Sequence, residues 1–212
     1  MIHLTKQSEP PVLAQNKSAW TQQYLSYISS GQQPPGSLRD HYKDPPVKQA
    51  IVTETAGKCA YCESKIRAVY PGDVEHILPK SKCPELIFDW DNLTLACGNC
   101  NGAKGDYYNT VFPLINPYVD DMPENLFGSG PCVWHHSKKG EVTVGTVKLN
   151  RTGLVERRQE AIESINHLID RWKEATDPAF KNYLKDMIYE YALSDKEFSF
   201  VLSEYIKQRN IM

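Results

Sequence analysis

Apolar residues recur at helical spacing through the last third of the chain. Leu154, Ala161, Ile162, Ile165, Leu168, Ile169 and Trp172 follow one face, with Arg158 on the same line. Phe180, Tyr183, Leu184, Met187, Ile188 and Tyr191 repeat the pattern, and Ser194 with Glu197 reads as a capping box before Phe198, Val201, Leu202, Tyr205 and Ile206. Near the other end, Ser18 is expected to cap a short helix through Trp20, Tyr24 and Tyr27, closed by Gly31; Gln32 to Gly36 is a loop because its prolines disfavour helix. A second helix starts near Pro46, runs through Val47, Ala50, Ile51 and Thr55, and stops at Gly57. The period then shortens. Val74 to Leu78 and Leu93 to Ala96 are strand-like runs separated by a long loop, which predicts an antiparallel pair, followed by a short helix with Asn99 near its start and Gly105 at its end. Glu141 to Val144 and Thr146 to Leu149 alternate as strands do, while Asn116-Pro117 and Gly128 to Pro131 are turn signals. The pattern predicts an α+β protein, mainly helical: a helical segment over 1–58, a compact unit over 59–110, an irregular, β-leaning connection over 111–150 and a helical region over 151–212.

Composition changes this picture in two ways. The formal net charge of the 212 residues is only −2, so a nucleic-acid partner must be met by a local patch, a metal or a second subunit. No apolar run is long enough to cross a membrane, and Met1 to Lys6 lacks the apolar core of a signal peptide. A cytoplasmic location follows as the expectation, and there paired cysteines bind metal more often than they form disulfides. Cys83 and Cys132 stand outside the pairs and are expected to be reduced, partly buried thiols.

The pairs are Cys59-Ala60-Tyr61-Cys62 and Cys97-Gly98-Asn99-Cys100. Each CxxC knuckle places two soft thiolates on one face of a metal, and two knuckles complete a zinc tetrahedron with no open position. Such an ion holds a fold and does not activate water. Glu75, His76, Asn92 and Asn101 lie in or beside the insertion and are not needed for that zinc. Carboxylate and amide oxygens are hard ligands suited to magnesium or manganese. His76 follows Glu75 on a regular strand, so the two side chains are expected on opposite faces unless a bulge or twist turns them together.

Glu75-His76-Ile77-Leu78-Pro79-Lys80-Ser81, then Asp91-Asn92-Leu93, then Cys97-Gly98-Asn99-Cys100-Asn101-Gly102-Ala103-Lys104 resembles the HNH endonuclease signature in content and order. The resemblance implies a zinc-stapled ββα-metal finger embedded in the helical protein. The acid before the histidine is usually aspartate and here is Glu75; the third motif residue is often histidine and here is Asn101. Both replacements keep an oxygen ligand. Carried over by position, His76 is the general base, Glu75 and Asn101 hold a catalytic Mg2+ or Mn2+, and Asn92 braces the loop and orients His76. Lys104 is either a phosphate contact or a solvated lysine. The implied activity is hydrolysis of phosphodiester bonds in DNA, with RNA, including tRNA, as the alternative substrate. Outside the finger, Ile2-His3-Leu4, Asn116-Pro117-Tyr118, Glu124 to Phe127 and Leu149-Asn150-Arg151 resemble the HNH effectors of Septu and retron-linked anti-phage systems. That likeness implies a PtuA-like ATPase partner and, through it, a retron reverse transcriptase with its msDNA.

Other candidates have plainer readings. Adjacent histidines diverge on a strand, so His135 and His136 are expected at the surface; His41 is expected to be exposed. Arg151, Arg157 and Arg158 either line a phosphate-facing surface or form the solvated face of a helix with Glu156 and Glu160. Two rival functions remain: a zinc-dependent nucleic-acid-binding module without catalysis, and an ATPase-docking subunit with a degenerate site.

Overall fold

The computed structural model describes residues 1–66 and 70–211. Its contacts divide the chain into two compact units, one of residues 4–60 and 65–110, the other of residues 1–3, 61–64 and 111–212.

The first unit begins with α1 (Pro11–Ser29), which starts well before Ser18. Pro11 occupies the first turn, where a missing N–H leaves no bond unmade, so no side-chain cap is needed. Gly31 at φ +71° ends the helix as the sequence predicts. α2 (Gly36–Arg39) runs into a 3-10 turn, Asp40–Lys43, that buries Tyr42, and α3 (Pro45–Glu54) follows. Gly57, at φ +69°, donates its N–H to the Val52 carbonyl (2.9 Å) and delivers the chain to Cys59. Strands β1 (Asp73–His76) and β2 (Leu93–Ala96) pair antiparallel, with Asp73 opposite Ala96 and His76 opposite Leu93. β2 is buried along its whole length, which explains its unbroken apolar reading. α4 (Gly98–Lys104) completes the ββα order, capped by the Cys97 sulfur and closed by Gly105 at φ +52°. The loop from Ile77 to Asn92 buries Phe88, whose ring meets Trp20 and Tyr24 of α1 edge-on, so the upstream helix packs against the loop that the finger inserts.

In the second unit, α5 (Met122–Asn125) leads into a hairpin of β3 (Leu126–Ser129) and β4 (Cys132–His135) turning at Gly130, where the turn signals lay. The strands expected over 141–149 do not form; the segment is α6 (Lys138–Thr146). Ser137 caps it by accepting the Gly140 N–H (2.9 Å), and its buried line is Gly140, Thr143 and Val147, a helical stripe hidden in an alternating sequence. A methyl group at Gly140 would sit 2.2 Å from the Asn125 carbonyl oxygen, so α6 needs glycine there to approach that backbone.

α7 (Thr152–Glu174), α8 (Pro178–Glu190) and α9 (Ser199–Gln208) match the helical periodicity. The N-cap of α9 is Phe198 rather than Ser194. Phe198 adopts a left-handed conformation, and the buried Glu63 caps α9 by accepting the Ser199 hydroxyl (2.7 Å) and the Phe200 N–H (3.2 Å). Glu197 pairs with Arg157 at 3.3 Å. Among the described residues, no helix is long and apolar enough to cross a membrane.

Candidate active site and metal centre

The sulfurs of Cys59, Cys62, Cys97 and Cys100 all lie within 4.8 Å of one another. A tetrahedral ion with Zn–S bonds of about 2.3 Å would set its sulfurs about 3.8 Å apart, so this donor set fits one zinc with small adjustment. Local structure brings the knuckles together. Ala60 donates its N–H to Leu95 of β2 (2.8 Å), which lays the first knuckle beside the strand that ends at the second. The Cys97 sulfur accepts the Cys100 N–H at 3.4 Å, so the second knuckle is the opening turn of α4.

α4 stands against β1, and four polar side chains meet there. Asp73 and Glu75, two apart on β1, point to one face. Asn101 Nδ2 donates to Asp73 Oδ2 (2.9 Å), and Tyr70 donates to the other Asp73 oxygen. Lys104 Nζ donates to Glu75 Oε1 (2.7 Å) and to the His76 carbonyl (2.9 Å). Burial pushes the Glu75 carboxyl up from its ordinary value against the pull of Lys104. Asn101 Oδ1 takes part in no hydrogen bond among the described residues, so a hard donor beside two carboxylates remains for a cation. Asp73 was not singled out from sequence; its two-residue offset from Glu75 was the available signal.

Lys104 is neither solvated nor offered to the outside. It is 2 % exposed, and its ammonium neutralises Glu75 within the protein. A phosphate contact at this position would need that ion pair to open, so the structure replaces both sequence readings with a buried strut between helix and strand.

His76 is 5 % exposed, yet it lines, with Asp73, Glu75, Asn101 and Lys104, an open cavity of about 820 Å³. His76 and Glu75 thus border one cavity, although adjacent side chains on a regular strand point apart. Its Nε2 lies 2.9 Å from the Ile87 carbonyl. A carbonyl only accepts, so Nε2 carries the proton and Nδ1 of the neutral ring keeps its lone pair. Asn92 fixes the loop that supplies this carbonyl: its Oδ1 accepts the Leu78 N–H (2.7 Å), and its Nδ2 donates to the Leu78 (3.0 Å) and Leu86 (3.3 Å) carbonyls. The Tyr42 ring packs edge-on against the imidazole at 4.5 Å.

Burial lowers the His76 pKa from 6.5 to about 4, with Lys80, Lys104 and Lys43 adding to the fall and the Ile87 bond opposing it. The unfolded chain thus binds a proton more readily than the folded one. Stability from keeping this ring neutral is complete above pH 6.5 and is lost as pH falls towards 4. Without added divalent cation, urea midpoints are expected to drop over that window by an amount worth about 3 kcal/mol that His76→Ala lacks. An equal acid-side drop in both proteins would contradict it.

The weaker candidates resolve simply. His41 is half-buried rather than exposed, because it stacks on Trp20 with centroids 3.9 Å apart. His135 is exposed, and His136 stacks on Phe127. Arg158 belongs to neither surface reading: at 1 % exposure it donates to the Leu149 carbonyl (2.8 Å) inside the second unit. Arg157 is solvated, with Glu160 and Glu197 as partners. None of the cysteines forms a disulfide.

Residues 59–107 match the family model for the HNH endonuclease. The chain is 32% identical over 153 residues to the Septu protein PtuB of Bacillus thuringiensis, covering 71% of this chain and 55% of that protein. It is 28% identical over 157 residues to the Septu protein PtuB of Bacillus mycoides (strain KBAB4), covering 58% and 53%. It is also 26% identical over 185 residues to the Septu protein PtuA of that strain, covering 71% of this chain but 25% of PtuA. The chain spans about half the length of the PtuB relatives it matches. The thiolate cage, the ββα order and these likenesses together make residues 59–107 an HNH endonuclease domain carried by a PtuB-like chain.

Proposed function

We propose that the protein is a metal-dependent endonuclease of an anti-phage defence complex, hydrolysing phosphodiester bonds in DNA or in RNA such as tRNA. The observation that carries this reading is the His76 ring: tautomer set by the Ile87 carbonyl, Nδ1 lone pair retained, and Glu75 and Asn101 on the same cavity. His76 Nδ1 takes the proton of a water whose oxygen attacks phosphorus, and the P–O3′ bond breaks. A divalent cation held by Glu75 and Asn101 would offset the charge gathering on the phosphate and the leaving 3′ oxygen. Asn92 keeps the Ile87 carbonyl in place, so it acts through the histidine. The low proton affinity of His76 is compatible with a base, because a bound phosphodiester brings negative charge that offsets the neighbouring lysines. Zinc, bound by the four cysteines, holds the fold and stays outside the chemistry.

The partner inferred is a PtuA-like ATPase, supported by likeness to proteins named for both Septu components. A link through it to a retron reverse transcriptase and msDNA rests on the sequence resemblance alone. A cytoplasmic site of action fits both. The test is a cleavage assay on duplex DNA and tRNA in Mg2+ or Mn2+, with and without the ATPase. Wild type is expected to cut at least one substrate and to stop when the divalent cation is withheld. Asn101→Ala is expected to lose about 10–100-fold in rate and to need more metal, with zinc content unchanged. No cutting under any of these conditions would leave the non-catalytic binding or ATPase-docking subunit as the answer.

A further inference from the structure

Four lysines line the cavity beside His76, and the structure gives three of them local work. Lys104 pairs with Glu75, Lys43 pairs with Asp40 at 3.1 Å, and Lys48 donates to the Gly72 carbonyl at 2.9 Å. Lys80 has no carboxylate within ion-pair distance among the described residues. Its Nζ donates to the Tyr42 hydroxyl at 2.6 Å and stands 4.6 Å from the centre of the Tyr42 ring. That ring is buried and packs against the imidazole of His76. Lys80 is half-buried, so its stem is held while two of its three donor positions remain for the cavity. Tyr42 comes from the turn after α2, outside residues 59–107, so the hydrogen bond that aims this ammonium is supplied from outside the finger.

We propose that Lys80 is the residue that grips a substrate phosphate beside His76, with Tyr42 as the positioning residue that holds its ammonium on the cavity wall. The assignment rests on the nuclease reading and names a contact within it. It moves the phosphate contact from Lys104, committed inside the fold, to a lysine four positions after the histidine. An ammonium reads phosphate as a point charge, so the contact strengthens binding without choosing a base sequence. A lysine that only braced the loop through Tyr42 would leave no trace in the salt dependence of binding.

The experiment measures that dependence. The full chain carrying His76→Ala, which prevents cutting, is titrated by fluorescence anisotropy against a short DNA duplex and an RNA hairpin in Mg2+ over a range of salt. Adding Lys80→Met is expected to weaken binding several-fold for unrelated sequences alike. The slope of log K against log salt should become shallower by about one. Lys80→Arg should keep the slope. Lys80→Gln retains a donor for the Tyr42 hydroxyl without the charge, and should reproduce the slope change at an unaltered melting temperature. Tyr42→Phe should weaken binding less, and should add nothing in the Lys80→Met background, because both act through one ammonium. A parent that binds while Lys80→Gln leaves its slope unchanged overturns the assignment and spares the nuclease reading. A parent that binds neither nucleic acid overturns both.

Discussion

Cys100→Ser is expected to abolish zinc binding and unfold the ββα finger, and with it all activity. Cys100 is fully buried, opens α4 with Cys97, and shares a cluster with Cys59 and Cys62. The secondary structure within the finger is slight. Its sheet is two strands of four residues each, and its helix is a seven-residue segment, too short to be stable by itself. Zinc binding in small thiolate sites is worth about 10–16 kcal/mol at neutral pH, and in such sites that free energy is folding free energy. Removing one thiolate, or removing the ion with a strong chelator, therefore outweighs any single packing change nearby. The measurement is zinc content per chain together with thermal melting. Full zinc content and an unchanged melting temperature in Cys100→Ser would show that the cysteines do not share an ion.

His76→Ala is expected to give the opposite profile: cleavage falls by about 100–10,000-fold or below detection, while zinc content and the ββα fold persist. The ring's attachments explain both halves. Its Nε2 bond to Ile87 and its packing on Tyr42 are local, so truncation costs about 1–3 kcal/mol in a lost hydrogen bond and a small cavity. No zinc ligand is touched. On the proposed mechanism the reaction loses its general base, and the nearest described carboxylates are engaged elsewhere: Glu75 with Lys104, and Asp73 with Asn101 and Tyr70. The check is the initial rate on DNA and on tRNA beside zinc content and melting temperature. Cleavage at the wild-type rate would remove His76 from the chemistry. The contrast between the two variants separates loss of the metal from loss of the imidazole, since only the cysteine change should lower zinc content as well as cleavage.

The legible part of this protein is the part written locally. Two CxxC knuckles, an acid–histidine pair and a CxxCN turn announce the finger because metal ligation demands particular atoms at short spacing, and the observed β1, β2 and α4 lie where that text placed them. Helix periodicity over α7 and α8 was equally readable, since each helix carries its own buried stripe. Readings failed where a cap or a packing contact outside the hydrophobic pattern decided the outcome. The alternation at 141–149 became α6 because Ser137 caps it and Thr143 meets Ile115. The helix expected to open at Ser194 opens at Ser199, where Glu63, far upstream, accepts its first hydrogen bonds.

The sequence by itself determined which four cysteines gather into one donor set and that an acid–histidine pair lies between the two knuckles. It could not determine which cation meets which anion. Lys104 and Lys80 flank the same motif and read alike, yet one is buried against Glu75 and the other is lifted to the cavity by Tyr42. That choice belongs to the tertiary structure because a charge's partner is set by burial and by what packs across from it, and both come from residues remote in the chain.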